Sequence, residues 1–198
     1  PLKSFNNLLY KDLTMKKIHI PHPAESLILS KVPEAIQERA RQIELVVFDI
    51  DGVLTDGGLY YTATGEGQKR FHALDGHGIK MLMQGGIKVA LMTGRQSDIS
   101  NRRTAELGVN HLMQNVRNKA EALIELTKEL NIELTKVAFV GDDVIDMPAM
   151  QKVGLALSVP NAPIYVQQSA HWVSQLSGGQ GAGREHCDMI LASQGLLG

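Results

Sequence analysis

Three short apolar runs each stop on polar punctuation. Leu45-Val46-Val47-Phe48-Asp49-Ile50 runs into Asp51-Gly52, Ile87-Lys88-Val89-Ala90-Leu91-Met92 into Thr93-Gly94-Arg95, and Val137-Ala138-Phe139-Val140 into Gly141-Asp142-Asp143. Runs this short and this apolar suit strands covered on both faces, the condition of a parallel sheet sandwiched by helices. Helical stretches fill the gaps between them. Pro33 to Gln42 carries strong helix formers behind a proline, and Ile79, Leu82 and Met83 share one face ended by Gly85-Gly86. Ser97 to Leu107 stops at Gly108, and Leu123, Leu126 and Leu130 line a helix beginning near Asn118. Short strands are expected at His111–Met113, Leu155–Ser158 and Trp172-Val173, with a helix after Gly141-Asp142-Asp143 through about Lys152 and another from about Arg184. Strand, polar turn and helix recurring in this way imply right-handed crossovers and an α/β three-layer sandwich with a mainly parallel sheet.

The chain has 198 residues, enough for one domain with a sizeable core. Residues 33–198 read as that domain, and 1–32 as an irregular N-terminal arm in which Pro21 and Pro23 bracket His22 and Met15 is a candidate initiator. One insertion breaks the alternation. Leu59-Tyr60-Tyr61-Thr62, a turn at Gly65-Glu66-Gly67 and Lys69-Arg70-Phe71-His72 read as a β-hairpin, a flap over about residues 57–73.

Lys and Arg number 20 against 21 Asp and Glu, so no global field marks a nucleic-acid or membrane partner, and any anion site must be local. Cys187 is the single cysteine, which excludes an intrachain disulfide and a cysteine-built zinc site. With no apolar run of membrane-spanning length and no secretory pattern at the start, the expectation is a soluble, cytoplasmic protein.

In an open parallel sheet, ligands collect beyond the carboxyl ends of the strands, where Asp49, Asp51, Thr93, Asp142 and Asp143 stand. Lys119 opens a helix that can reach the same crevice. Crowded acids repel unless a cation compensates them, and carboxylate oxygens are the hard ligands that Mg2+ prefers. A cation with open positions on such ligands suits phosphoryl transfer. On this reading Asp49 attacks phosphorus and forms an aspartyl phosphate, while Asp51 protonates the departing alcohol and then deprotonates the hydrolytic water. Thr93 donates its hydroxyl to a phosphoryl oxygen, Lys119 supplies positive charge, and Asp142 completes the metal ligands. Taken singly, Asp-x-Asp-Gly reads as a turn and Lys119 as a solvated residue; joint occurrence in compatible order makes the set specific. Gly178-Gly179-Gln180-Gly181-Ala182-Gly183 reads as a flexible loop in preference to a phosphate-binding nest. No two histidines have the helical spacing of a zinc motif.

These residues resemble a known family. Asp49-Ile50-Asp51-Gly52-Val53-Leu54-Thr55-Asp56-Gly57, Thr93-Gly94-Arg95, Asn118-Lys119 and Gly141-Asp142-Asp143-Val144-Ile145-Asp146 look like the four motifs of haloacid dehalogenase superfamily phosphatases. Phe71 to Ile79 and the glycine-rich run into Arg184-Glu185 are similar to the 3-deoxy-D-manno-octulosonate 8-phosphate phosphatases. The resemblance implies a capless Rossmannoid fold and a Mg2+-dependent homotetramer, with the flap and C-terminal tail near neighbouring sites. It implies a role in lipopolysaccharide inner-core synthesis. It further implies metal ligation by Asp49, Asp142 and the backbone carbonyl of Asp51, with Asp143 and Asp146 behind them. Substrate contacts are implied for Asp51, His72, Ala73, Leu74, Asp75, Gly76, Lys80, Arg95, Arg103 and Lys119. Four positions depart from the family pattern: His72 and Leu74 stand where Asn and Arg are expected, Lys80 replaces Arg, and Gly183 replaces a small apolar residue.

Two other readings stay open at this stage. Glu66 and Lys69 on the hairpin keep a nonulosonate 9-phosphate phosphatase in play. A phosphorylated receiver or an inactive scaffold also combines Asp, Thr and Lys on a parallel sheet, although a receiver is expected to carry its acceptor on a more central strand.

Overall fold

A computed structural model describes residues 21–198. His19, Met15 and most of the expected arm lie outside the described residues. Six strands form one parallel sheet in the order β5-β4-β1-β6-β7-β8: β1 (Leu45–Asp49), β4 (Lys88–Met92), β5 (His111–Met113), β6 (Val137–Val140), β7 (Leu155–Ser158) and β8 (Trp172–Val173). β2 (Tyr60–Thr62) and β3 (Gly65–Gln68) form a separate antiparallel hairpin. The helices are α1 (Pro23–Leu29), α2 (Glu34–Ala40), α3 (Ala73–Gln84), α4 (Asp98–Leu107), α5 (Lys119–Leu130), α6 (Met147–Met150), α7 (Ile164–Ser169) and α8 (Ala182–Gln194).

Side-chain alternation along β1 divides the core into its two layers. Val46 and Phe48 join Ile36, Ile79, Leu82, Leu107, Ile190 and Leu191 on one face of the sheet. Leu45 and Val47 face the other way, against Leu123, Leu126, Met150 and Val166. Every residue of β1 is buried, as a strand covered on both sides requires. The expected α/β sandwich is therefore what these residues build, and among the described residues no helix is long and apolar enough to cross a membrane.

Four local expectations are corrected. Residues 23–29 of the expected irregular arm form α1, which packs on α8; His22 Nδ1 caps it by accepting from the Ala24 amide at 3.1 Å, with Pro23 just inside. The hairpin turns at Ala63-Thr64, not at Gly65-Glu66-Gly67, because the Thr62 hydroxyl closes the turn against the Thr64 amide and the Gly65 carbonyl. Gly67 then serves close approach: a Cβ there would meet Thr62 Cγ2 at 2.8 Å. Lys69–His72 accordingly lies beyond β3, and Phe71 bridges only to Thr55. After Gly141 the chain makes a 3-10 turn over Val144–Asp146 before α6, in place of one continuous helix. α7, entered through Pro163, is an addition that the sequence pattern did not suggest.

Candidate active site

β4, β1 and β6 are neighbours, so their carboxyl ends bring Thr93, Asp49 and Asp142 to one edge of the sheet. β1 is first in sequence but central in space, which removes strand position as an argument against a receiver. What separates the two chemistries is the second acid, Asp51, and its surroundings.

Lys119 is the first residue of α5, whose start is fixed by Asn118 Oδ1 accepting from the Glu121 amide at 3.2 Å. The Lys119 side chain is 1% exposed, and its ammonium donates to Asp49 Oδ1 at 2.8 Å and to Asp146 Oδ1 at 2.5 Å. The second oxygen of Asp146 accepts from the amides of Asp142 at 3.0 Å and Asp143 at 3.1 Å. Asp143 caps the same turn by accepting from the Val144 amide at 2.7 Å. Asp146 therefore ties the β6 loop to the lysine, with both of its oxygens engaged by protein donors.

Asp49, Asp142 and Asp146 each offer a carboxylate oxygen within 4.8 Å of the others. Burial pushes the Asp49 carboxyl well above its ordinary range, and the charges of Asp146 and Asp142 push the same way against the pull of Lys119. Burial and then Asp146 raise Asp142 to about 6. Burial works to lower Lys119, but Asp49 and Asp146 outweigh it and hold the amine above its usual value. One ammonium thus leaves excess negative charge among three carboxylates, and hard oxygen donors this close fit a divalent cation. The turn after β1 can approach them only as glycine: Gly52 has φ +94°, and a Cβ there would lie 1.9 Å from Asp142 Oδ2.

Asp51 is held from two sides. Thr93 Oγ1 donates to its Oδ2 at 3.1 Å, while Lys69 Nζ pairs with its Oδ1. In this arrangement the Thr93 hydroxyl serves Asp51, and it accepts from the Arg95 amide at 3.1 Å. Lys69 also pairs with Glu66 at 3.0 Å, and Glu66 accepts a hydrogen bond from the Ser97 hydroxyl. Burial acts to raise the Glu66 carboxyl, but Ser97 and Lys69 outweigh it and lower it. Arg95 donates to the Tyr61 hydroxyl at 2.8 Å, so the hairpin is fastened over the strand ends of its own chain.

The remaining expected substrate residues form a second group. His72 caps α3, accepting from the Leu74 amide at 3.3 Å, and lines a small recess with Asp75, Gly76, Arg103 and Phe71. The Arg103 guanidinium lies 5.6 Å over the Phe71 ring. Asp75 is buried, which raises its carboxyl, and it accepts from the Arg184 amide at 2.8 Å. Ala73, Leu74 and Lys80 are exposed along α3. Among the described residues no hydrogen bond joins this group to Asp49, Asp142 or Asp146. Gly183 packs closely here, because a Cβ there would stand 3.0 Å from both the Asp75 carboxyl carbon and Leu54.

Sequence reasoning missed Asn161. Its amide donates to the Gly52 carbonyl at 3.0 Å, and its oxygen accepts from the Gly178 amide at 2.7 Å. The glycine-rich run is accordingly packed on the turn after β1 and is not a loose loop: a Cβ on Gly178 would sit 1.8 Å from the Gly52 oxygen. The signal was present, since Val159-Pro160-Asn161 follows β7 as the other site residues follow their strands.

Comparison with known proteins agrees with this geometry. A family profile described as haloacid dehalogenase-like hydrolase matches residues 103–181. The 3-deoxy-D-manno-octulosonate 8-phosphate phosphatase of Haemophilus influenzae is 44% identical over 160 residues, 81% of this chain and 89% of that protein. The crystal structure of the Yersinia pestis phosphatase of the same description superposes with a TM-score of 0.82 at 40% identity, covering 84% of this chain and 90% of that one. The Moraxella catarrhalis phosphatase, crystallised with magnesium ion, phosphate ion and a KDO molecule, matches with a TM-score of 0.80 at 40% identity, covering 82% and 93%.

Proposed function

We infer function from membership and geometry together: this chain belongs to the 3-deoxy-D-manno-octulosonate 8-phosphate phosphatase family of haloacid dehalogenase-like hydrolases. It hydrolyses that phosphomonoester to the free sugar acid and phosphate, a step of lipopolysaccharide inner-core synthesis in the cytoplasm. The observation that carries the reading is the Lys119 ammonium clamped between Asp49 and Asp146, with Asp142 within reach of both and Asp51 one turn away.

Asp49, Asp142 and the Asp51 backbone carbonyl would hold Mg2+, while Asp146, its oxygens already engaged, holds the loop. When bound, the ion supplies charge neutralisation at the phosphoryl oxygens and relieves the repulsion among the acids. The chain's own residues do the rest. An Asp49 oxygen attacks phosphorus as the ester P–O bond breaks, and Asp51 gives its proton to the departing sugar oxygen. Asp51 then takes a proton from water as that water attacks the aspartyl phosphate, breaking the P–O bond to Asp49 and releasing phosphate. Lys119 pulls against the burial that raises Asp49, and it orients that carboxyl for attack. Arg95, Arg103, Lys80 and the His72–Gly76 segment bind the sugar acid, whose carboxylate and phosphate both call for cations.

Glu66 and Lys69 support the shorter sugar, since they are spent on each other, on Ser97 and on Asp51. The assembly we propose is a homotetramer, supported by the exposed apolar surface of the hairpin and its approach, Leu59, Tyr60 and Tyr61. Phosphate release with Mg2+ from the octulosonate 8-phosphate, the nonulosonate 9-phosphate and simple sugar phosphates tests the reading. We expect preference for the first ester, abolished by a chelator and by Asp49→Asn. Equal rates on all esters would defeat the substrate assignment, and full activity of Asp49→Asn would defeat the mechanism.

A further inference from the structure

An ammonium is seldom buried on an exposed hairpin. β2 and β3 present almost every residue to solvent, yet the Lys69 side chain, just past β3, is 3% exposed. Removing an ammonium from water costs several kcal/mol unless charged partners receive it, and here two carboxylates do. Lys69 Nζ pairs with Asp51 Oδ1 and with Glu66 Oε1, and the other Glu66 oxygen accepts from Ser97, the residue that caps α4. The lysine is thus braced against a helix start on one side and aimed at Asp51 on the other.

Asp51 has a demanding task under the phosphatase reading. The same carboxyl gives a proton to one oxygen and later takes a proton from another at nearly the same place. A carboxylate on a turn can rotate about its side-chain bonds, and misplacement by an ångström costs rate steeply. Thr93 fixes one oxygen from the sheet side, and Lys69 fixes the other from the hairpin side. Two donors on opposite oxygens define the plane of the group, which one donor cannot do.

We propose that Lys69 is a positioning residue for the Asp51 carboxyl, and that Glu66, anchored on Ser97, holds Lys69 in place. The inference rests on the phosphatase reading and deepens it: the hairpin acts on the acid–base residue of its own chain, whatever it also does for a neighbour.

The test compares Lys69→Met, Lys69→Arg and Glu66→Gln with the wild-type chain, each confirmed folded by circular dichroism, on the octulosonate ester and on p-nitrophenyl phosphate. A positioning role predicts that Lys69→Met loses about 10- to 100-fold in kcat on the sugar ester, with KM within about threefold. The loss in the first step is smaller for the nitrophenyl ester, whose leaving group departs without a proton. Water activation still needs Asp51, so a burst of nitrophenolate matching the enzyme concentration precedes slow turnover. Lys69→Arg recovers most of kcat, and Glu66→Gln shows the same signature more weakly. A raised KM with unchanged kcat would make Lys69 a substrate ligand and overturn the proposal, as would equal losses on both esters without a burst. Wild-type protein releasing no phosphate from either ester would sink the phosphatase reading and the Lys69 role with it. An active wild type beside an unimpaired Lys69→Met sinks the Lys69 role alone.

Discussion

Asp142→Asn separates what the site costs the fold from what it does for the reaction. Burial first and the Asp146 charge second raise the Asp142 carboxyl from its ordinary 3.8 to about 6. The sign follows from proton binding. Between about pH 4 and 6 the folded chain holds this proton more tightly than the unfolded chain, so stability falls as pH rises through that window. At about 1.4 kcal/mol per pH unit, the metal-free protein has lost on the order of 3 kcal/mol by pH 7.5 through Asp142 and the Asp49 carboxyl hydrogen-bonded to it. Asparagine keeps the shape and removes the charge, and its less well satisfied amide takes back about 1 kcal/mol. With chelator at pH 7.5, Asp142→Asn should therefore be more stable than the wild type by about 1–3 kcal/mol, and at pH 4 that advantage should vanish. Mg2+ cancels or reverses that advantage, since a ligand at 100 times its Kd adds about 2.7 kcal/mol to the wild type and less to a variant whose neutral amide oxygen is the weaker ligand. Urea unfolding at both pH values, with and without Mg2+, reads all four states. A variant less stable than the wild type in chelator at pH 7.5, or one stabilised by Mg2+ as much as the wild type, would refute the reasoning.

Two further predictions follow from buried groups. Lys119→Met leaves Asp49 and Asp146 without their ammonium, so in chelator it should lose about 3–5 kcal/mol of stability and at least 100-fold in phosphate release; urea unfolding and a turnover assay check both, and a stability within about 0.5 kcal/mol of wild type would contradict the clamp. His186 is buried beside Trp172, and burial lowers it from 6.5 to about 3. The unfolded chain takes up this proton first, so stability is lost as pH falls below about 6.5, and His186→Leu should remove about 1.4 kcal/mol per pH unit of that slope between pH 6 and 4.5. An unchanged slope in unfolding titrations would place the ionisation elsewhere.

The strand ends were legible because a doubly covered strand is a short, unbroken apolar run, and its polar stop is visible without knowing the fold. Asp49, Thr93 and Asp142 could be placed at one edge for that reason alone. In the hairpin, glycine reads as the turn-former in sequence, whereas the Thr62 hydroxyl makes the turn and Gly67 gives Thr62 room. α1 escaped because a seven-residue helix is too short to show a period, and its cap is a histidine. The packing of the glycine-rich run on Gly52 was hidden for another reason. Glycine at close backbone contact and glycine in a loose loop look alike in sequence, and only the Asn161 bridge distinguishes them.

A near-zero net charge concealed the most consequential feature, which is how charge is distributed at the site. Two ammonium groups enter it from opposite sides, Lys119 from the start of α5 and Lys69 from the hairpin, and each is shared between two carboxylates. They do different work. Lys119 meets the acids that crowd one another, and it leaves a deficit that a divalent cation can fill. Lys69 meets Asp51, the acid set apart from that crowd, and shares it with Thr93. The proposed nucleophile, Asp49, and the proposed proton carrier, Asp51, differ by two positions in sequence, yet they meet different ammonium groups. Under the proposed mechanism that separation leaves Asp49 to the cation and Lys119 while Asp51 is aimed to pass a proton in both directions, which a receiver trapping its phosphate has no need to arrange.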